Sequence, residues 1–286
     1  MAIDYKLIGP GFAAEISGVD LAEDWSDKTI ERVREIWFDH KLVIFRNQNL
    51  EDKDLERFVG HFGEIFVHIR SQFHSSGNPG ITLVSNVKKE GKPIGALGDY
   101  GIGWHCDQIY REQPAFSTIL YGVEIPSEGG NTLICDLAQA YAKMPTDLKA
   151  KIDGKRAVYS IAKITEKRDY ATTQKQQAAS PDVAHPLVRR HPYTGRPSLF
   201  FSPDHTVRID GIAEDEQEEV QRQLVDWASQ ERFVYEHSWQ IGDVIMWDNS
   251  STMHRRGGFP SSERRLLKRT GFMLPEDLAT PLPAET

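Results

Sequence analysis

Short runs of β-favouring residues, separated by turn signals and only rarely by helical segments, constrain the fold of this chain most strongly. A doubly wound parallel sheet needs a helical crossover between successive strands, and most of these runs have none between them. Turn segments such as SEGGN and PYTGRP point instead to antiparallel connections. The pattern therefore predicts a mainly β fold with peripheral helices around a double-stranded β-helix, the jelly-roll core of cupin-like proteins. The runs are KLVIFRN, ITLVSNV, FSTILYGVEI, NTLICDL, RAVYSI, RPSLFFS, RFVYEHSW, DVIMWDN and LLKRTGFML.

Three segments have the apolar periodicity of amphipathic helices: SDKTIERVREIWFDHK, LEDKDLERFVGHFG and the acidic AEDEQEEVQRQ with the residues after it. Ser26 stands where an N-cap is needed, and Asp27 favours the first turn. No internal repeat, Ser/Gly linker or low-complexity run divides the chain. We therefore expect a single domain over residues 1–286.

The amino-acid composition restricts the kinds of molecule that we expect the protein to bind. The formal net charge of −8 and the absence of a basic tract argue against a nucleic-acid-binding protein. No stretch approaches the roughly 20 apolar residues of a membrane span, and no signal-peptide pattern opens the chain. The two cysteines exclude a disulfide scaffold and fit a reducing compartment. We expect a cytoplasmic protein that acts on a small molecule and binds neither nucleic acid nor membranes.

His105 and Asp107 flank Cys106 in the stretch GWHCDQIY. In a strand, alternation would place His105 and Asp107 on one face and Cys106 on the other. A second histidine, His254, follows the hydrophobic run and polar turn of GDVIMWDNSSTMH. Two histidines and one carboxylate on separate strands of a rolled sheet make a facial triad that leaves three coordination positions open on iron. Taken alone, the His-x-Asp pair would favour a core histidine beside a buried aspartate.

Arg265 and Arg269 in SERRLLKRTGFML are four positions apart, so in a strand they share a face, while Arg264 and Lys268 point the other way. A guanidinium fork suits bidentate binding of a carboxylate. A pair of them beside a metal predicts one or two anionic ligands. The alternative, a solvated basic strand, suits Arg264 and Lys268.

Motifs spread over almost the whole chain resemble the taurine and dichlorophenoxyacetate dioxygenases, which depend on non-haem iron(II) and 2-oxoglutarate. The resemblance implies that His105, Asp107 and His254 bind the iron. It also implies that Thr132 and Arg265 hold the distal carboxylate of 2-oxoglutarate, and that Arg269 contacts either the primary substrate or this cosubstrate. The motifs are AEISGVDL, LVIFRNQNL, FSTILYGVEIPSEGGNTLICDL, HPLVRRHPYTGRPSLFF, GDVIMWDNSSTMHR and RRLLKRTGFM.

The same resemblance implies a reaction. Relatives that halogenate replace the metal-binding carboxylate by a small residue, whereas this chain keeps Asp107. Hydroxylation of an unactivated C–H bond is therefore expected, coupled to the use of O2 and the oxidative decarboxylation of 2-oxoglutarate to succinate and CO2. The family also suggests a homodimer or homotetramer.

Residues 64–102 are rich in glycine toward their end and precede the metal motif, as expected of a mobile cover over a substrate site. His68 lies about where the family places a substrate contact, and Asn86 lies in the family-like stretch SNV; we expect both, with Arg269, to bind substrate. Together they favour a small anionic organic acid of the sulfonate, carboxylate or phenoxyalkanoate class.

Two other functions stay open at this point. A zinc hydrolase can use two histidines and an aspartate with an open water position, although it gives Thr132 and Arg265 no role. A non-catalytic binder of small acids could use the same fold. His185 and His191 each precede a proline and flank a predicted hairpin, so we expect them to serve turn geometry.

Overall fold

The computed structural model describes residues 3–68, 71–165 and 180–279, and it confirms the mainly β fold with helices outside the sheets. The strands are β1 (Asp4–Ile8), β2 (Ala13–Ser17), β3 (Leu42–Phe45), β4 (His74–Ser75), β5 (Asn78–Ser85), β6 (Lys88–Lys89), β7 (Lys92–Pro93), β8 (Ala96–Leu97), β9 (Ile102–His105), β10 (Ala115–Glu124), β11 (Thr132–Asp136), β12 (Arg156–Tyr159), β13 (Val183–Pro186), β14 (Val188–Arg190), β15 (Pro197–Leu199), β16 (Thr206–Ile209), β17 (Val234–His237), β18 (Val244–Asp248), β19 (Thr252–Arg256) and β20 (Leu266–Met273).

Helices lie between only some of the successive strands. The α-helices are α1 (Asp27–His40), α2 (Asp52–Gly60), α3 (Leu137–Ala142), α4 (Thr146–Ile152), α5 (Ile161–Thr165), α6 (Gln217–Ala228) and α7 (Glu276–Ala279). Short 3₁₀ turns cover Ser71–Phe73, Glu214–Glu216 and Glu231–Phe233.

Two β-sheets form the centre of the fold. The larger has the order β1-β2-β3-β18-β10-β20-β5-β4, with β8 beside β5, and the smaller has the order β17-β11-β19-β9. Apart from the β2–β3 and β5–β8 pairs, the strands of both sheets pair antiparallel. This is the layered, mostly antiparallel architecture that the turn signals predicted.

Alternation along the strands divides the apolar residues between the inside and the outside of the roll. On β10, Leu120 packs between the sheets, in one cluster with Ile134 of the smaller sheet, whereas Ile119 packs outward in the cluster that holds the first two helices. On β11, Ile134 faces inward and Cys135 faces outward. The interior between the sheets therefore contains an apolar cluster to which both sheets contribute.

Helices cover both outer faces. Helices α1 and α2 pack Trp37 and Phe58 against the larger sheet, and Ser26 caps α1 by accepting a hydrogen bond from Thr29 N at 3.2 Å, as the sequence predicted. Helices α3, α4 and α6 pack against the smaller sheet, with Leu224 fully buried among them. Within the described residues, no helix is long and apolar enough to cross a bilayer.

The expected cover is only partly loop. Strand β5, in the middle of residues 64–102, pairs with β20 and so belongs to the large sheet. Strands β6 and β7 form a small hairpin, and β8 returns to pair with β5. Residues 69 and 70 of this segment lie outside the described residues. The mobility of the cover and the single-domain organisation remain predictions.

Candidate active site

The two histidines of the predicted triad face each other across a strand pair. Strand β9 ends at His105, whose cross-strand partner on β19 is His254. Asp107 lies beyond the end of the strand, so the expectation that one strand carries both His105 and Asp107 is wrong. The chain leaves the sheet because the Cys106 amide donates to Ser202 Oγ at 3.0 Å instead of to a strand partner.

A turn then returns the Asp107 carboxylate to the histidines. Its Oδ1 lies 3.8 Å from His105 Nε2, and its Oδ2 lies 3.9 Å from His254 Nε2. One ligand atom from each of the three residues lies within 4.8 Å of the other two, and all three residues are buried. Two imidazoles and a carboxylate at this spacing fit a divalent transition metal such as Fe(II).

His105 is held in the tautomer that metal binding needs. Its Nδ1 lies 2.8 Å from the carbonyl oxygen of Gly103. Since a carbonyl only accepts, Nδ1 carries the proton, and Nε2 presents its lone pair toward Asp107 and His254.

Asp107 is held as a carboxylate. Burial acts to raise its pKa, but the neighbouring Arg269, His254 and His105 and a hydrogen bond from Thr118 outweigh it, so the pKa lies well below the usual range. Arg269 Nη1 lies 3.4 Å from Oδ1. The Thr118 hydroxyl donates to Oδ2 at 2.8 Å. The Asp107 carboxylate is therefore anionic at physiological pH.

Thr118, which sequence reasoning did not identify, is part of a buried chain of hydrogen bonds. Asn249 Nδ2 donates to Thr118 Oγ1 at 2.9 Å, and Trp247 Nε1 donates to Asn249 Oδ1 at 3.1 Å. The Trp247 ring also lies 4.6 Å from the ring of His254. This chain fixes Asp107 and His254 together. In the sequence, Thr118 is indistinguishable from any β-favouring residue of FSTILYG.

A cavity beside the triad is lined by Arg265, Thr132 and Arg269. Arg265 is 1% exposed, and its Nη2 donates to the Gly130 carbonyl at 3.1 Å. Its Nε and Nη1 have no hydrogen-bond partner among the residues that the structure describes. Burial lowers the pKa of Arg265 well below its usual value, and the charge of Arg256 acts in the same direction. Such a guanidinium favours the binding of an anion.

The Thr132 hydroxyl is oriented by a residue that the sequence did not single out. Trp239 Nε1 donates to Thr132 Oγ1 at 3.0 Å. Because one lone pair of the oxygen is taken, its proton is available to a second acceptor. Arg256, the cross-strand partner of Thr132, lines the same cavity and donates to the carbonyl oxygens of Leu97 and Tyr100.

A second cavity is lined by Asp107 and His105. It brings together His68 and Arg269, as expected, and adds Gln108, Tyr110 and His205. Arg269 lines both cavities.

The structure does not bring Asn86 into this second cavity. Its amide donates to the Glu263 carbonyl at 2.7 Å and accepts from Arg265 N at 3.0 Å. The side chain thus fixes the backbone that carries Arg265. Its contact with substrate remains a prediction.

The other notable polar residues have structural contacts. His191 Nδ1 accepts from the amides of Tyr193 and Thr194, in the turn between β14 and β15. His185 Nε2 lies 2.9 Å from the Arg111 carbonyl. Cys106 is fully buried in the cluster outside the smaller sheet.

Comparison with known proteins identifies the family. The model of the family described as taurine catabolism dioxygenase TauD, TfdA family matches residues 4–270. The chain belongs to the TauD, TfdA family. The 2,4-dichlorophenoxyacetate dioxygenase of Cupriavidus pinatubonensis, named as α-ketoglutarate-dependent, is 29% identical over 94% of this chain and 97% of its own length. Pentalenolactone F synthase of Streptomyces avermitilis is 29% identical over 92% of each chain.

A solved structure has the same fold. The structure of AAD-2 in complex with Mn(II) and N-oxalylglycine superposes with a TM-score of 0.82 at 27% identity, over 96% of this chain and 99% of that one. The fold and the family expected from the motifs are confirmed. As a member of this TauD, TfdA family, the chain is a 2-oxoglutarate-dependent dioxygenase.

Proposed function

We propose that the protein hydroxylates an unactivated C–H bond of a small anionic organic acid, using Fe(II), 2-oxoglutarate and O2. The observation that carries the proposal is the meeting of His105, Asp107 and His254 beside a cavity whose buried Arg265 has two donors without a partner among the described residues. A zinc hydrolase would use the three ligands but would leave that guanidinium without an anion. A binder of small acids without catalysis would have no use for the metal ligands.

Different residues of the site bind the iron, bind the cosubstrate and orient the Asp107 carboxylate. His105, Asp107 and His254 would hold the iron, which when bound supplies O2 activation and the oxidative decarboxylation of 2-oxoglutarate to succinate and CO2. Arg265 and the Thr132 hydroxyl bind the distal carboxylate of the cosubstrate by charge-assisted hydrogen bonds. Thr118 and Arg269 keep the Asp107 carboxylate anionic and in one orientation.

The second cavity supports an acidic substrate. Arg269, His68 and His205 converge there beside Asp107, which favours a carboxylate, sulfonate or sulfate ester over a neutral molecule. Several relatives are named for phenoxy acids and for sulfate esters. The buried walls of the cavity position the substrate near the metal site and exclude water. The proposal also includes a homodimer or homotetramer in the cytoplasm, which light scattering and cell fractionation would test.

Succinate formation tests this function. Protein prepared without oxygen is given Fe(II), 2-oxoglutarate and then O2, with phenoxyalkanoates, sulfonates, alkyl sulfate esters and simple carboxylates in turn. We expect one of these substrate classes to increase succinate formation in proportion to the substrate consumed. The methyl ester or amide of the most active acid should not increase succinate formation. Equal stimulation by the acid and its neutral ester would contradict an anionic substrate, and activity without O2 would favour hydrolysis.

A further inference from the structure

Gln108 follows the metal ligand Asp107 and is almost completely buried, with 3% of its surface exposed. Its backbone is left-handed, with a φ of 54°. A residue with a side chain adopts this conformation at a cost, so the surrounding structure must hold it there. Gln108 lines the second cavity together with His68 and Arg269.

The orientation of the Gln108 amide is fixed by its neighbour. Arg111 Nη1 lies 2.7 Å from Gln108 Oε1. Because a guanidinium can only donate, the atom facing it must be the amide oxygen, and the NH2 group must point elsewhere. That Nε2 is buried and has no hydrogen-bond partner among the residues that the structure describes. A buried amide donor without a partner destabilises the protein unless a ligand accepts from it.

We propose that Gln108 Nε2 donates a hydrogen bond to an uncharged oxygen of the primary substrate, close to the carbon that reacts. This inference rests on the proposed function and narrows its substrate class. Arg269, a cation in the same cavity, is the better partner for the acidic group. The neutral Gln108 amide is then available to donate to the uncharged oxygen of the substrate. The substrate is accordingly an organic acid with an ether or ester oxygen, and Gln108 is a specificity-determining residue.

Two acids that differ only at this oxygen provide the test. Phenoxyacetate has an ether oxygen where 3-phenylpropanoate has a methylene group, and both have the same charge and nearly the same shape. Their dissociation constants are measured by calorimetry with the wild-type protein, Fe(II) and 2-oxoglutarate in the absence of O2. We expect phenoxyacetate to bind about 10- to 100-fold more tightly, since the methylene leaves the amide unpaired.

The Gln108→Met variant should remove this preference and bind the two acids within about twofold of each other, because its side chain has no donor. Gln108→Glu keeps the shape of the amide and replaces the donor by an acceptor, so it should bind phenoxyacetate more weakly than the wild type does. Gln113→Met is the matched control. The Gln113 amide donates to the Leu274 carbonyl at 2.6 Å, and this residue is not part of the cavity wall. It should keep the wild-type preference.

The outcomes separate this inference from the proposed function. Equal binding of both acids by the wild type, or an unchanged preference in Gln108→Met, would overturn the role of Gln108 and leave the dioxygenase function intact. If the wild type binds neither acid and no acid raises succinate, the substrate class of the proposed function is refuted, and the role of Gln108 is refuted with it.

Discussion

Arg265→Met should stabilise the protein in the absence of 2-oxoglutarate and abolish its binding of that acid. In the wild type, the guanidinium is 1% exposed, and two of its nitrogen atoms have no hydrogen-bond partner within the described part of the chain. Each buried unpaired donor costs about 1–3 kcal/mol. Methionine fills a similar volume without a charge.

The gain is partly offset by the loss of one contact. Arg265 Nη2 donates to the Gly130 carbonyl, and a hydrogen bond from a charged donor is worth about 1.5–3 kcal/mol. At the middle of these ranges the two unpaired donors cost about 4 kcal/mol and the lost hydrogen bond contributes about 2 kcal/mol, so we expect the free energy of unfolding of Arg265→Met to exceed that of the wild type by about 2 kcal/mol. Loss of two charge-assisted hydrogen bonds to the cosubstrate should weaken 2-oxoglutarate binding at least about 100-fold.

Urea unfolding with and without 2-oxoglutarate measures both quantities. A saturating ligand at about 100 times its dissociation constant stabilises the wild type by about 2.7 kcal/mol, and the same concentration should stabilise Arg265→Met by less than about 0.5 kcal/mol. Arg264→Met is the control, because Arg264 is exposed and paired with Glu124; it should keep the ligand effect. If Arg265→Met were less stable than the ligand-free wild type, the cation would have to be compensated already, and our account of the cavity would be refuted.

Three further predictions concern the surroundings of the site. Thr118→Val removes the hydrogen bond that orients Asp107 and should weaken Fe(II) binding about 10- to 100-fold in an anaerobic titration; an unchanged affinity would contradict the role of Thr118. Leu97 has a φ of 74°, where glycine is unstrained, so Leu97→Gly should be about 0.5–1 kcal/mol more stable to urea than Leu97→Ala, the reverse of the usual order. Burial lowers the pKa of His185 from 6.5 to about 4 in the folded protein, so the unfolded chain binds the proton first. As the pH drops from 6.5 to 4, this residue should lower the free energy of unfolding by about 1.4 kcal/mol per pH unit. Urea unfolding of His185→Gln should show a shallower fall across that range.

The fold was largely predictable because its strands and helices have regular periodicity. Ser26 and the apolar positions of α1 specify that helix locally, and the alternation along β10 specifies which residues face the core. Helices α3 and α4 were not predicted, since each is only a turn or two long and is stabilised mainly by burial against the smaller sheet.

The site was predictable where the residue type itself indicates metal or anion binding. His105, Asp107, His254 and Arg265 are recognisable in their motifs. Thr118, Trp239 and Gln108 were not, because their roles depend on partners far along the chain or on one backbone angle. Asn86 resembles a substrate contact in sequence, yet its amide binds the backbone next to Arg265.

The central claim is that His105, Asp107 and His254 bind Fe(II) and that the buried Arg265 binds 2-oxoglutarate beside it. Anaerobic titration of Fe(II) and 2-oxoglutarate, followed by the visible charge-transfer absorption of the pair, tests it most directly. We predict a band in the wild type that needs both components and saturates at one iron per chain, and its absence in Asp107→Ala and Arg265→Met. A wild-type protein that shows no band with both components in excess would contradict the claim, as would an undiminished band in Asp107→Ala.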